Sequence, residues 1–211
     1  MVKKITKDEY YLNIAKAVGE KSNCLNVVIG CIIEKADQII ATGYVGAPRK
    51  TKDCVDLGFC IRRRNNIESG RGYEMCRSVH AEMNAIINAA RAGVSLLEGS
   101  MYVYAAKKEQ GGVHPVKAYP CLLCKKMIIN SGIHKFVGNN PDSSLAIYFV
   151  ADWVKEWQEL EDLTQDSEKY HVSYTKTEKA ETANVRQNKA SFGRKSVPAL
   201  RGSKIDRIKK M

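Results

Sequence analysis

Residues 27–33 read VVIGCII, seven positions without one polar side chain. A strand with one wet face alternates apolar and polar residues, so an unbroken, β-branched run belongs to a strand buried on both faces. Such a strand needs a sheet with helices layered on either side. The rest of the chain supplies candidates for those layers. Thr6-Lys7-Asp8-Glu9 has the form of a capping box, and Tyr11, Leu12, Ala15 and Val18 follow at helical spacing, predicting a helix over about 7–21. QIIATGY (38–44) predicts a second short strand, and MYVYA (101–105) and HKFVG (134–138) two more. Ala81–Ala92 is Ala-rich and ends at Gly93; Cys121–Ser131 ends at Gly132; both are predicted as helices. A last long helix is predicted over about 144–162, with Leu145, Phe149, Trp153, Trp157 and Leu160 as its buried stripe. YHVSY (170–174) is expected as an edge strand, whereas residues 45–78 show no period. Strands alternating with helices define the α/β class, and no internal repeat is present.

The 211 residues suffice for one domain with a real core, or one domain with an appendage. Hydrophobic residues at 44% against 27% charged give a globular composition. No charged-then-apolar leader opens the sequence and no apolar run approaches the length of a membrane span, so a cytoplasmic protein without a membrane partner is expected. The seven cysteines are then expected as reduced thiols, for metal or burial rather than for disulfides. The net charge of +11 is concentrated at one end. From Thr175 onward eleven Lys and Arg stand against three acids, while the first 174 residues hold 23 basic and 20 acidic groups. Residues 175–211 carry one aromatic residue and no sustained apolar period, so this basic tail is expected to be disordered beside a domain over 1–174.

Two stretches carry chemistry. SVHAEMNAI (78–86) places His80 two residues before Glu82, and YPCLLCKK (119–126) places Cys121 and Cys124 behind Pro120. A catalytic zinc takes three N or S ligands from protein and keeps one position open to water, and His80, Cys121 and Cys124 supply that number. Cysteines at i, i+3 in a first helical turn send both sulfurs the same way, and a helix N-terminus favours the thiolate form. Pro120 suits the entry to such a helix. His80 would open a second helix, so two N-termini would converge on one ion. Glu82 would reach the water at the open position without ligating the metal, and carry its proton to substrate. Alone, a Cys-x-x-Cys also reads as a redox pair or half a structural zinc site, and a His-x-Glu as ordinary helix surface. Their joint presence, each opening a helix, favours the catalytic reading.

His-x-Glu followed by Pro-Cys-x-x-Cys is the signature of zinc nucleobase deaminases. From about residue 22 to 138 the chain resembles the deoxycytidylate (dCMP) deaminases of the cytidine deaminase superfamily, through KSNCLNVVIGCII, ATGYVGAP, CRSVHAEMNAI, GSMYV and YPCLLCKKMIINSGIHKFV. The resemblance implies a three-layer α/β/α cytidine deaminase-like fold with a mixed sheet of about five strands. It also implies zinc-dependent hydrolysis of the cytosine 4-amino group, dCMP to dUMP, by a homo-oligomer acting on a small-molecule nucleotide. Two departures bear on substrate. The family usually has Asn at the place of Val45, where it helps to hold sugar and base; Val makes no such bond, so another group must substitute or the substrate differs. The family also has only a few residues before its Pro-Cys, whereas this chain inserts roughly ten within 106–118, with Gly111 and Gly112 as turn points beside the active-site mouth. His114, inside the insertion, reads as a solvent-facing histidine.

Of the remaining cysteines, Cys31 sits in the apolar strand and reads as core. Cys24, Cys54, Cys60 and Cys76 fall in or near the long irregular stretch, which stays ordered only if something ties it down. A second, structural zinc held by several of these thiolates would do so, as in some dCMP deaminases; four scattered thiols is the plainer alternative. A 5′-phosphate calls for an Arg or Lys contact, and Arg49, ahead of Arg62, Arg63, Arg64 and Arg77, is the candidate.

Two other functions fit parts of the sequence. The basic tail would suit a deaminase acting on tRNA or single-stranded nucleic acid, but the chain lacks the Ser-Trp-Ser before Pro-Cys of polynucleotide-editing cytidine deaminases. A non-catalytic, zinc-stabilised nucleotide binder would have no use for Glu82. Cutting the chain after Tyr174 separates these readings. Mononucleotide deamination is expected to stay almost unchanged, whereas a polynucleotide enzyme would lose affinity and its steep salt dependence. A truncated protein that keeps its zinc but loses mononucleotide activity would contradict the expectation.

Overall fold

The capping box forms as written. In the computed structural model, which describes residues 4–68, 71–161 and 163, Thr6 Oγ1 accepts from the Glu9 N–H at 3.2 Å and the Glu9 carboxylate accepts from the Thr6 N–H at 2.6 Å. Helix α1 (Lys7–Gly19) follows, burying Tyr11, Leu12, Ala15 and Gly19. It lies across β1 (Val27–Lys35) so closely that a Cβ on Gly30 would sit 2.0 Å from the Ala15 carbonyl oxygen. The glycine inside VVIGCII therefore lets the helix reach the sheet.

Strand β1 pairs antiparallel with β2 (Gln38–Tyr44) on one side and with β3 (Ser100–Glu109) on the other. Strand β5 (Lys135–Asn139) runs parallel to β3, and β6 (Leu145–Phe149) antiparallel to β5, giving the mixed order β2-β1-β3-β5-β6. Alternation sorts the central strands into two cores, as the unbroken apolar run required. Ile32, Tyr102, Tyr104 and Val137 pack with α1. Cys31, Ile33, Met101, Val103 and Phe136 face the opposite layer, made by α4 (Ala81–Ala92), α5 (Leu122–Asn130) and α6 (Val150–Glu159). Cys31 is fully buried, and burial, followed by the charge of Glu82, pushes its thiol well up. The three-layer fold is as expected.

Among the described residues the sheet has six strands, where about five were expected. The sixth, β4 (Gly112–Pro115), folds back on the far end of β3 as a hairpin, so the 106–118 insertion is ordered structure. Its turn passes through Gly111 and Gly112 at φ 100° and 138°. Among the described residues of 45–80, regular structure is limited to two one-turn helices, α2 (Cys54–Leu57) and α3 (Ile61–Arg64), a 3₁₀ turn at Tyr73–Met75 and one antiparallel bridge between Gly46 and Val79.

The long helix over 144–162 is a correction. Its first third is β6, and the helix is confined to Val150–Glu159. Phe149, assigned to the buried stripe, is 54% exposed, whereas Trp153 is buried. The Asp142 carboxylate accepts from the Ser144 N–H and hydroxyl and closes a turn, after which LAIYF, rich in strand-forming residues, pairs with β5. The strand expected at 170–174 and the tail at 175–211 lie outside the described residues.

The N-terminus of α4 presses on β2 where only hydrogen fits. A Cβ on Gly43 would lie 2.3 Å from the Ala81 carbonyl oxygen and 2.4 Å from the Ala85 nitrogen, all backbone. Gly43→Ala is expected to cost about 1–3 kcal/mol of unfolding free energy, read as a lower midpoint in urea. An unchanged midpoint would mean that α4 is not held this tightly.

Candidate active site

His80 and Cys121 occupy equivalent places, each the N-cap of its helix with extended backbone (ψ 154° and 165°) and no side-chain capping bond. Their side chains turn toward each other instead. His80 Nδ1 lies 3.4 Å from Cys121 Sγ and 3.3 Å from Cys124 Sγ. Among the described residues this is the one group whose three ligand atoms all fall within 4.8 Å. Both sulfurs are buried, Cys124 completely.

Lys125, the next residue on α5, fixes that helix from behind. Its fully buried ammonium lies 3.6 Å from the Glu156 carboxylate and about 5 Å over the rings of Trp153 and Trp157, tying α5 to α6. Asn84 Nδ2 donates to the Tyr44 carbonyl at 2.8 Å and holds the start of α4 against β2.

The two thiols are shifted in opposite directions. The Cys124 thiol, then His80, hold the Cys121 thiol down at about 4 against the opposing effect of burial, while Cys121, burial and Glu82 push the Cys124 thiol up. Two buried thiolates side by side need a cation between them, and an imidazole with two thiolates is a zinc donor set. Tetrahedral arms of about 2.3 Å to sulfur and about 2.05 Å to nitrogen leave the donors about 3.6 Å apart, close to the spacings found. The residues fit the ion.

Glu82 is outside the trio but 94% buried, in the first turn of α4, on the wall of a cavity of about 440 Å³ that also reaches His80 and Cys121. Val27, Ile29, Val45 and Tyr119 give that cavity apolar walls. The Tyr73 ring stands edge-on to His80 at 4.9 Å, with the Arg62 guanidinium 5.0 Å from the same ring.

The remaining site residues divide. Val45 is buried and lines the cavity. Cys24, Cys54, Cys60 and Cys76 line it too, and burial, with the nearness of Cys24 and Cys60, raises the Cys54 thiol. Against burial, the backbone N–H groups of Arg63 and Arg62 hold the Cys60 thiol below its usual value. These four do not close to the spacing of the first trio. Arg49 is not on the wall; its guanidinium donates to Asn88 Oδ1 at 2.6 Å on the outer side of α4. His114 is exposed on β4, opposite Lys107. Sequence reasoning gave no role to Lys107 and Lys108, which line the cavity from the hairpin stalk, or to Tyr73 and Tyr119. The adjacent lysines inside an insertion at the mouth were the available signal.

The model of the "cytidine and deoxycytidylate deaminase zinc-binding region" matches residues 5–139. A Schizosaccharomyces pombe protein named deoxycytidylate deaminase is 30% identical over 151 residues, covering 70% of this chain and 42% of that protein. Its Saccharomyces cerevisiae counterpart by name is 32% identical over 130 residues, 62% of this chain and 36% of that protein. The deoxycytidylate deaminase of Mycobacterium phage D29 is 31% identical over 135 residues, 62% of this chain and 91% of the phage protein. The chain thus matches less than half the length of the two yeast relatives and nearly all of the phage one. A match that runs from the capping box to the end of β5 takes in every residue of the trio and Glu82, and on it the chain belongs to the family of cytidine and deoxycytidylate deaminases defined by this zinc-binding region.

Proposed function

We propose that the chain is a zinc-dependent hydrolase that removes the 4-amino group of cytosine in a small nucleotide, with dCMP as substrate and dUMP and ammonia as products. The observation that carries this reading is the buried Glu82 carboxylate on the same cavity wall as the trio. His80, Cys121 and Cys124 would hold the zinc. When bound there, it supplies the Lewis acidity that makes water a nucleophile at neutral pH. Glu82 takes one proton from the water that adds at C4 and delivers it to N3 of the ring. It then carries the second proton of that water to the amino nitrogen, which leaves as ammonia while C4 becomes a carbonyl. The apolar walls from Val27, Ile29 and Val45 exclude bulk water from the base. Val45 packs against the substrate but makes no hydrogen bond to it.

In this reading residues 1–174 are the deaminase domain, in a cytoplasmic homo-oligomer. No helix among the described residues is long and apolar enough to cross a membrane. Ile147 and Phe149, half exposed on the edge strand β6, support self-association.

We further propose a second, structural zinc at Cys24, Cys54, Cys60 and Cys76. Three buried polar side-chain atoms lack a hydrogen-bond partner among the described residues, and all belong to residues beside these thiols: Asn26 and Arg62 against Cys60, and Ser78 against Cys54. An ion drawing the thiolates together would set sulfur acceptors against two of them, the Arg62 Nε–H and the Ser78 hydroxyl.

Glu82→Ala is expected to keep the catalytic zinc and lose at least roughly 10²–10⁴-fold in kcat; an active variant, or one that loses the metal, would sink the assignment. Metal analysis of the wild type is expected to find two zincs per chain, and Cys54→Ser one, with a lower Tm. One zinc in both, at equal Tm, would leave the four cysteines as free thiols.

A further inference from the structure

We propose that Lys107 and Arg63 form the phosphate subsite of the cavity, so that the β3–β4 hairpin and not Arg49 makes this site select nucleotides over nucleosides. The inference rests on the deaminase reading above. Lys107 continues the face of β3 that carries Met101, Val103 and Ala105, which packs toward α4 and α5. It therefore stands on the side of the sheet where those helices begin. Its backbone is held on both flanks, opposite Val27 in β1 and His114 in β4. The next residue fastens the stalk: the Lys108 N–H donates to the Asn26 carbonyl and its ammonium to the Cys24 carbonyl, each at 2.9 Å.

The cavity wall is cationic, with Arg62, Arg63, Arg77, Lys107 and Lys108 against Glu82 and Glu109. Most of these cations are already committed. Lys108 serves Cys24, Arg62 donates to the Glu68 and Arg71 carbonyls, and Arg77 donates to the Lys52 carbonyl. Lys107 and Arg63 are exposed, and among the described residues their side chains make no ion pair or hydrogen bond; Glu109 pairs with neither. Two uncommitted cations on the wall that also carries the trio raise the local concentration of an anion and can close on phosphate oxygens once base and sugar fill the apolar part. A guanidinium offers a fork and an ammonium a point charge, which suits one phosphate reached from two sides.

The test compares dCMP with deoxycytidine on the zinc-loaded full chain, by steady-state kinetics and by calorimetry of product dUMP binding. Lys107→Ala and Arg63→Ala are each expected to raise KM for dCMP roughly tenfold or more, with kcat and Tm nearly unchanged and deoxycytidine kinetics unaffected. Lys107→Arg is expected to restore most of the loss. Equal effects on both substrates, no effect on either, or a wild type that prefers deoxycytidine would overturn the proposal. If neither compound is deaminated, the deaminase reading fails; tenfold weaker dUMP binding in the two variants would still sustain the subsite, and unchanged binding would end it.

Discussion

The meeting of two helix N-termini at His80, Cys121 and Cys124 places demands on everything around it. Two positive helix ends facing each other at close range repel, and the sulfurs between them supply the opposing charge. The fold meets the geometric demand from both sides. Gly43 lets α4 press on β2 without a side chain between them, and the buried Lys125 anchors α5 against the aromatic face of α6. Neither residue lines the cavity, yet each sets where a donor atom sits.

The remainder of the cavity is a wall of unusual make-up. Residues 45–80 contribute little regular structure, and instead put thiols, Tyr73 and arginines on the cavity wall. Opposite them, the hairpin that this chain inserts before Pro120 brings in two lysines. Apolar side chains, one buried carboxylate and several cations on one wall suit a molecule that carries both an aromatic and an anionic part.

Much of this was legible in the sequence because the relevant signals are local. The capping box fixed the start of α1, the Ala-rich run before Gly93 bounded α4, and VVIGCII forced a sheet covered on both faces. The trio was readable because each half of it opens a helix, so spacing along the chain determines direction in space. Local pattern failed where two periods coincide. Leu145, Phe149 and Trp153 recur every four residues, yet the first two positions also alternate in a strand, and pairing with β5 decided between them. Arg49 failed for another reason. Sequence proximity to the active-site loop says nothing of which side of α4 a side chain takes, and Asn88 claims it on the outside. Lys107 lies far along the chain from α3, and only the hairpin brings it to the same wall as Arg63.

The proposed chemistry depends on one zinc among His80, Cys121 and Cys124, with Glu82 beside it as proton carrier and not as ligand. Anomalous diffraction at the zinc edge, from crystals of the zinc-loaded chain with dUMP bound, tests it most directly. The expected result is a peak about 2.0–2.3 Å from His80 Nδ1 and from both sulfurs, with the Glu82 carboxylate hydrogen-bonded to the base and clear of the metal. A peak that Glu82 ligates, or none at this trio, would contradict it.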